Sequence, residues 1–400
     1  MDSQIPGRPC WVEIRTRSFE NNFRFLAGVA APHAELLAIV KANAYGHSLE
    51  LCAPAAVRAS ARWLGVTSVK EGVAARSFCA DARVLVIRGV FAGEGADAVR
   101  HKLTPVTWEP WQLDELENAA GAEAGSIPIH IEIDTGMSRQ GVDLDGLSRL
   151  LARFGAGSPL KLDGVMTHLL AADEADGAIT QEQLTRLSAA LEMVRAAGVH
   201  AEWLNVGNSA ALLSGQANAI GGIASRFGMK ALIRPGLALY GLTPEFDPGF
   251  GSGFLGSEPA ALAEAHRRLE PVLSWKTQVL GVRSVPAGAL VGYNGTFVAT
   301  EPMRLALLAV GYADGLDRRL GNRFSLLVRG LRAPLVGRIS MDQAVLDVTE
   351  IPDVEAGDEV VILGTQGDET ITAFDHAEVA GTIPWEILTR IGPRVARISV

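Results

Sequence analysis

The chain has 400 residues, of which 48% are hydrophobic and 20% charged. That balance excludes disorder for most of the length and provides for two or three domains, or one large barrel plus a smaller module. A net charge of −9 repels a nucleic-acid duplex or an anionic membrane on average, so neither is an expected partner.

The opening residues, MDSQIPGRPCWVEIRTR, lack the apolar core of a secretory signal. Cys10, Cys52 and Cys79 offer neither a disulfide framework nor metal-ligand spacing, so we expect buried thiols and no metal site. The longest run without charge, Trp203 to Ser225, carries Asn, Ser, Gln and several Gly, which a lipid-spanning helix would not hold at that density. A soluble cytoplasmic protein is the expectation. Eight β-like runs follow in order: Leu36–Val40, Leu64–Ser68, Val84–Arg88, Thr104–Trp108, Ile129–Asp134, Leu162–His168, Trp203–Val206 and Leu232–Leu239. Amphipathic stretches such as Leu49–Arg62 and Ile179–Ala197 lie between them; in the second, Leu184, Leu187, Leu191 and Val194 repeat at helical spacing. This alternation predicts parallel strands with crossover helices, and eight units fit a (β/α)8 barrel. A doubly wound open sheet is the alternative, although no GxGxxG follows the first strand. Pro244–Ser257 reads as a linker and Ala260–Arg268 as a short helix. Beyond Leu269, Val272–Val282, Met303–Val310, Ala333–Val336, Ala344–Val348 and Glu359–Leu363 are punctuated by turn residues and predict an all-β module. We therefore expect a barrel over 11–265 and a predominantly β domain over 266–400.

Chemistry-bearing residues collect at the expected strand ends. Lys41 follows the first run, on the rim where such barrels keep their active sites. An amine emerging from a buried strand is desolvated and becomes a usable nucleophile and base, although a plain surface lysine fits the position equally well. Asp134, Thr135, Gly136 and Arg139 follow the fifth run, and the Arg139 fork matches a carboxylate or phosphate; a capped turn with a solvated arginine is the plainer account. His168 ends the sixth. NVGNSAALL (205–213) and IRPGLALYG (233–241) place small residues and glycines after strands seven and eight, the usual phosphate-binding arrangement, with Ser209 and Gly236 as candidates. A reactive lysine and a phosphate cradle on one rim point to pyridoxal phosphate. VGYNGTF (291–297), VGYADGL (310–316) and VGRISMDQ (336–343) add polar Gly-rich turns. Spacing alone does not make Tyr293 catalytic, since a turn tyrosine usually packs.

Taken together, KANAYGH, DTGMSRQG, MTH, NSA, RPGLALYG, GYNGT, GYADG and GRISMDQ resemble the alanine racemase family in order and spacing, from about Trp11 to Arg397. The resemblance implies a pyridoxal-phosphate barrel, a C-terminal β-domain, a head-to-tail homodimer with shared active sites and supply of D-alanine for peptidoglycan. By position, Lys41 matches the lysine that carries the cofactor and serves as one base, and Tyr293 the opposite base, lent by the partner subunit. Arg234 would face the pyridine nitrogen. Arg139 would lie near the substrate carboxylate and the cofactor's phenolic oxygen, and His168 would bridge Arg234 and Tyr293. Tyr45, Ser209, Gly236 and Leu237 would bind the phosphate, with Asn208 beside them. Tyr312, Met341 and Asp342 would complete the substrate pocket, the Met341 N–H near the carboxylate. Racemisation fits such a pair, because a proton must leave one face of Cα and return on the other.

Two positions depart from the family pattern. Glu132 stands where the family often has a lysine, sometimes carbamylated; we expect its carboxylate to supply that negative charge and pair with Arg139. Trp385 replaces a usual tyrosine and has an indole N–H but no hydroxyl, so looser substrate selection, admitting serine, is expected. A broader amino-acid racemase and a non-catalytic pyridoxal-phosphate carrier are the alternatives. A related decarboxylase lacks support, since its glycine triplet and cysteine-bearing loop are missing.

Overall fold

The computed structural model describes residues 7–120, 126–174, 177–246 and 260–400. A first strand, β1 (Cys10–Ile14), precedes eight parallel strands closed into a barrel: β2 (Glu35–Ile39), β3 (Trp63–Val66), β4 (Arg83–Val86), β5 (Thr104–Thr107), β6 (Ile127–Glu132), β7 (Leu160–Met166), β8 (Trp203–Asn205) and β9 (Lys230–Ile233). Each overlaps one of the eight apolar runs. Helices covering the outer face require such strands to be apolar on both sides, which is why they read as continuous runs; β3 and β5 are buried at every residue. The eighth run is corrected at its end. Its strand stops at Ile233, and after Pro235 and Gly236 the residues Leu237–Tyr240 form a 3₁₀ turn, because proline cannot donate to a ladder. The helix Ala178–Ala196 buries Leu184, Leu187, Leu191 and Val194, the face that their spacing predicts.

The barrel unit comprises Arg17–Ala44 and Leu49–Glu270. A second unit gathers Met1–Thr16, Tyr45–Ser48 and Pro271–Val400. Its strands are β10 (Leu273–Val285), β11 (Leu290–Val291), β12 (Phe297–Val298), β13 (Met303–Leu308), β14 (Ser325–Val328), β15 (Leu331–Pro334), β16 (Ala344–Asp347), β17 (Glu359–Gln366), β18 (Glu369–Ile371) and β19 (Ala396–Ser399). The main sheet runs β15-β14-β17-β10-β1-β19, with β13 pairing β10 and β16. Residues 11–14, expected at the start of the barrel, instead pair antiparallel with β10 and parallel with β19. Cys10, Trp11, Val12 and Ile14 are buried there, in ladders that no local pattern announces. Two short helices, Ala373–Ala380 and Pro384–Thr389, also interrupt what was expected to be an all-β module.

Of the expected linker Pro244–Ser257, residues 247–257 lie outside the described residues; the helix Ala260–Arg268 is present. Cys10, Cys52 and Cys79 are buried. Among the described residues no helix is long and apolar enough to cross a membrane.

Candidate active site

Lys41 begins just past β2, and the backbone after it turns the wrong way. Ala42, Asn43, Ala44 and Tyr45 have φ of 53°, 52°, 55° and 52°, a left-handed turn that disfavours L-residues by about 1–2 kcal/mol each. Hydrogen bonds offset this cost. Glu71 accepts the Ala42 N–H at 2.8 Å with one oxygen and the Thr67 N–H at 2.8 Å with the other. The Asn43 side chain accepts the Leu49 N–H at 2.8 Å, and the Ala44 N–H reaches the Val40 carbonyl at 2.9 Å. Lys41 is thus held by a braced turn. Burial, then the positive charges of Arg139 and Arg234, push its ammonium below the ordinary lysine value, with Glu71 opposing.

Arg234 follows β9 and is almost fully buried. Its Nη1 donates to the Asn205 carbonyl at 2.8 Å and to Asn205 Oδ1 at 2.5 Å. Its Nη2 donates to the Thr167 carbonyl at 3.0 Å and meets His168 Nδ1 at 3.2 Å. Guanidinium only donates, so His168 Nδ1 accepts and the imidazole proton sits on Nε2. Burial, then Arg234, Arg139 and Lys41, push His168 down to about 3, so the ring is neutral. Burial also lowers Arg234 to about 10, against the pull of Glu132. Arg234 Nε–H is the one donor position left without a hydrogen bond to the described residues.

Ser209 Oγ accepts from the N–H groups of Gly236 at 2.9 Å and Ala238 at 3.3 Å, which ties the ends of β8 and β9 together and leaves the hydroxyl proton to donate. Asn208 caps the following turn through the Ala211 N–H at 2.9 Å. Gly236 and Leu237 are the residues just after Pro235, with Leu237 opening the 3₁₀ turn. The Asp134 carboxylate accepts the N–H groups of Gly136 at 2.9 Å and Ser138 at 3.1 Å, so an Asx turn presents Arg139 at the surface. Gly141 is required here: its φ is +112°, and a Cβ would lie 2.5 Å from the Asp134 nitrogen.

Glu132 and Arg139 do not form the expected ion pair. The Glu132 carboxylate is buried and takes a hydrogen bond from Gln140 Nε2 instead. Arg139 and Arg234 act on it only through space, and burial pushes its carboxyl above the ordinary value against that hydrogen bond and those charges. Arg139 is exposed and has no salt bridge among the described residues. Glu71 and Asn205 escape a sequence reading, because Ala42, which Glu71 braces, and Arg234, which Asn205 holds, lie 29 residues away in each case; a local signal is Ser68-x-x-Glu71 at a helix start, where Ser68 Oγ caps the Glu71 N–H at 3.3 Å.

In the second unit, Tyr293, Tyr312 and Met341 are 68%, 43% and 54% exposed, unusually open for side chains of this size. One strip, residues 337–341, brings their loops together. The Tyr312 and Ala313 N–H groups donate to the Ser340 and Met341 carbonyls, each at 3.0 Å. A Cβ on Gly337 would lie 2.8 Å from the Val291 carbonyl oxygen, and one on Gly311 2.4 Å from the Met341 carbonyl oxygen. Asp342 is pinned by Arg394 at 2.7 Å and Arg8 at 3.4 Å. Burial pushes the Tyr45 hydroxyl up to about 12. Gly46 beside it packs on the Leu388 carbonyl of the helix that carries half-buried Trp385.

Residues 14–244 match the family model described as alanine racemase, N-terminal domain, and residues 272–399 the model described as alanine racemase, C-terminal domain. The chain belongs to the alanine racemase family. It is 38% identical to the alanine racemase of Symbiobacterium thermophilum, across 98% of this chain and 97% of the other. The alanine racemase of D-cycloserine-producing Streptomyces lavendulae superposes with a TM-score of 0.86 at 33% identity, covering 98% of this chain and 97% of that one. That of Bartonella henselae, with covalently bound pyridoxal phosphate, does so with 0.79 at 27% identity, covering 98% and 100%. As a member of the alanine racemase family the chain is an isomerase acting on amino acids, and both alanine racemase domains are present along its length.

Proposed function

We propose that the chain interconverts L-alanine and D-alanine with pyridoxal phosphate, using Lys41 and Tyr293 as two bases. The observation that carries this reading is the rim itself: a lysine depressed by burial and two arginines, an arginine with one N–H that meets none of the described residues, and a hydroxyl with a proton to donate, all at the C-terminal ends of barrel strands. These groups fit the cofactor. Lys41 would hold it; Ser209, Gly236, Leu237 and Tyr45 would take its phosphate, with Asn208 fixing the turn; Arg234 Nε–H would meet its ring nitrogen. When bound, pyridoxal phosphate supplies an electron sink that makes the substrate's Cα–H acidic enough to transfer.

Lys41 then moves the proton on one face of Cα, and Tyr293, lent by the partner subunit of a head-to-tail homodimer, moves it on the other. His168 keeps its Nε2–H available to a phenol oxygen while Arg234 holds Nδ1. Arg234 remains cationic, so it would disfavour protonation of the ring nitrogen it meets, which would restrain decarboxylation and transamination. Arg139, with no salt bridge among the described residues, takes the substrate carboxylate together with the Met341 N–H; Tyr312 and Asp342 complete the pocket. The role that fits is supply of D-alanine for peptidoglycan in the cytoplasm.

The test is deuterium incorporation at Cα of each alanine enantiomer in D2O. Wild type incorporates deuterium from both. Lys41→Ala and Tyr293→Phe each lower kcat in both directions, by about 10²–10⁴-fold. A wild type that binds cofactor but exchanges no Cα proton would overturn the reading in favour of a carrier.

A further inference from the structure

Below Arg234, a line of polar side chains crosses the barrel interior to the opposite rim. Asn205, whose two oxygens accept from Arg234 Nη1, places its Nδ2 3.4 Å from His130 Nδ1. His130 Nε2 lies 3.3 Å from Asp163 Oδ2, and Arg83 Nη2 donates to that same oxygen at 2.6 Å. Asn205 and His130 are wholly buried, and Asp163 nearly so. Arg83 lies at the N-terminal end of β4, its guanidinium 3.9 Å above the Trp63 ring, and Trp63 meets the His130 and Trp203 rings edge-on at 5.6 Å each.

The backbone is built around this line. The β6–β7 ladder shifts register between Ile129 and His130, which puts Asp163 in as an extra residue before Gly164. A Cβ on Gly164 would come within 2.6 Å of the His130 ring, so only glycine leaves room for the imidazole.

Every bond direction in the line is fixed from its two ends. Arg234 can only donate, so Asn205 Oδ1 must face it and the Asn205 amide N–H must face His130. His130 Nδ1 must then accept, which puts the imidazole proton on Nε2, where it donates to a carboxylate already paired with Arg83. If His130 carried its proton on Nδ1, or on both nitrogens, the Asn205 amide would turn over and set N–H against the N–H groups of Arg234. Burial, with Arg83 and Arg234 nearby, pushes His130 below the ordinary histidine value despite Asp163, so it is neutral. For Asp163, burial raises the carboxyl, but the hydrogen bonds and charges of His130 and Arg83 outweigh it. A core filler has no use for this arrangement, since apolar residues would fill the same volume without unmet desolvation.

We propose that His130 is a positioning residue for the racemase reaction: acting through Asn205, it fixes the Arg234 guanidinium in the one orientation that leaves Nε–H for the cofactor. This rests on the reading of the rim as a pyridoxal-phosphate site. Two measurements test it. In wild-type holoenzyme with 15N-labelled histidine side chains, His130, assigned through its contact with the Trp63 ring, should be protonated on Nε2 and bare on Nδ1 throughout the active pH range. A proton on Nδ1, or on both nitrogens, overturns the proposal.

The second measurement is a double-mutant cycle in holoenzyme. His130→Phe should lower kcat by about tenfold with the KM for alanine changed less than about twofold, and His130→Phe added to Asn205→Leu should lower kcat no further. Additive losses, or an unchanged kcat, would mean that His130 only packs the barrel. If His130→Phe does not fold, the tautomer in wild type decides. A wild type that carries no pyridoxal phosphate on Lys41 would instead fail the reading of the rim, while the tautomer result would still stand for the line itself.

Discussion

At the end of β6 the Glu132 carboxylate sits buried, with Gln140 as its hydrogen-bond donor and no ion pair among the described residues. Its acidity is weakened by burial, so the folded chain binds that proton more tightly than the unfolded chain does. Stability is therefore full below the unfolded glutamate value of about 4.3 and falls as pH rises from there through the higher folded value. Glu132→Gln removes that loss: its thermal midpoint should gain on wild type as pH rises through this window, and a difference that stays flat with pH would refute the assignment. If the ionised carboxylate also steadies Arg139 through space, the same variant should raise the KM for alanine several-fold, and unchanged kinetics would remove Glu132 from the substrate site. At Trp385 the missing hydroxyl should cost selectivity. Trp385→Tyr should lower serine turnover relative to alanine by about 10-fold, the low end of what one small contact gives in a pocket; an equal ratio in both enzymes would count against that. Lys41, Arg139, His168 and Ser209 are readable as candidates because each lies at or soon after the end of an apolar run, whereas Arg234, inside the run Leu232–Leu239, is readable only through the family resemblance. His130 is readable in neither way. It reads as one polar letter within IPIHIE, and its partners Asp163 and Asn205 lie on the next two strands, 33 and 75 residues away in the sequence. Its one local clue is a histidine inside an otherwise buried strand.

Of the elements, the left-handed turn after β2 bears most on the chemistry. Glu71 braces it with two oxygens on two backbone N–H groups. Glutamine offers one oxygen, so Glu71→Gln should strand one N–H and cost about 1–2 kcal/mol, read by chemical denaturation. The same change removes the negative charge that opposes depression of Lys41. The amine should then shed its proton more readily, and pyridoxal-phosphate uptake by apoenzyme should extend to lower pH than in wild type. A shift to higher pH would contradict the assigned charge effect. The turn could not be read from the sequence, since KANAY is written in good helix formers and only Asn43 favours positive φ. The barrel strands could, because burial on both faces makes each a local apolar run.

Across the whole molecule, Tyr293, Tyr312 and Met341 stand exposed on loops joined by residues 337–341. In the proposed dimer these side chains serve the other subunit. Mixing Lys41→Ala with Tyr293→Phe subunits should therefore restore activity to about a quarter of wild type after random reassortment, because half the dimers are mixed and each has one intact site. No recovery on mixing would contradict a site shared in trans. All eight barrel strands are readable as apolar runs, and so are β10, β13, β15, β16 and β17 of the second sheet; what no local pattern announces is that β1 joins that sheet, with its partners in β10 and β19. That pairing has a consequence for synthesis. On the ribosome β1 emerges ahead of all eight barrel strands, yet one of its neighbours is translated only after them, and the other later still. The barrel can close while β1 waits with both edges bare, so translation has to keep that short apolar segment out of the wrong ladders until its mates arrive.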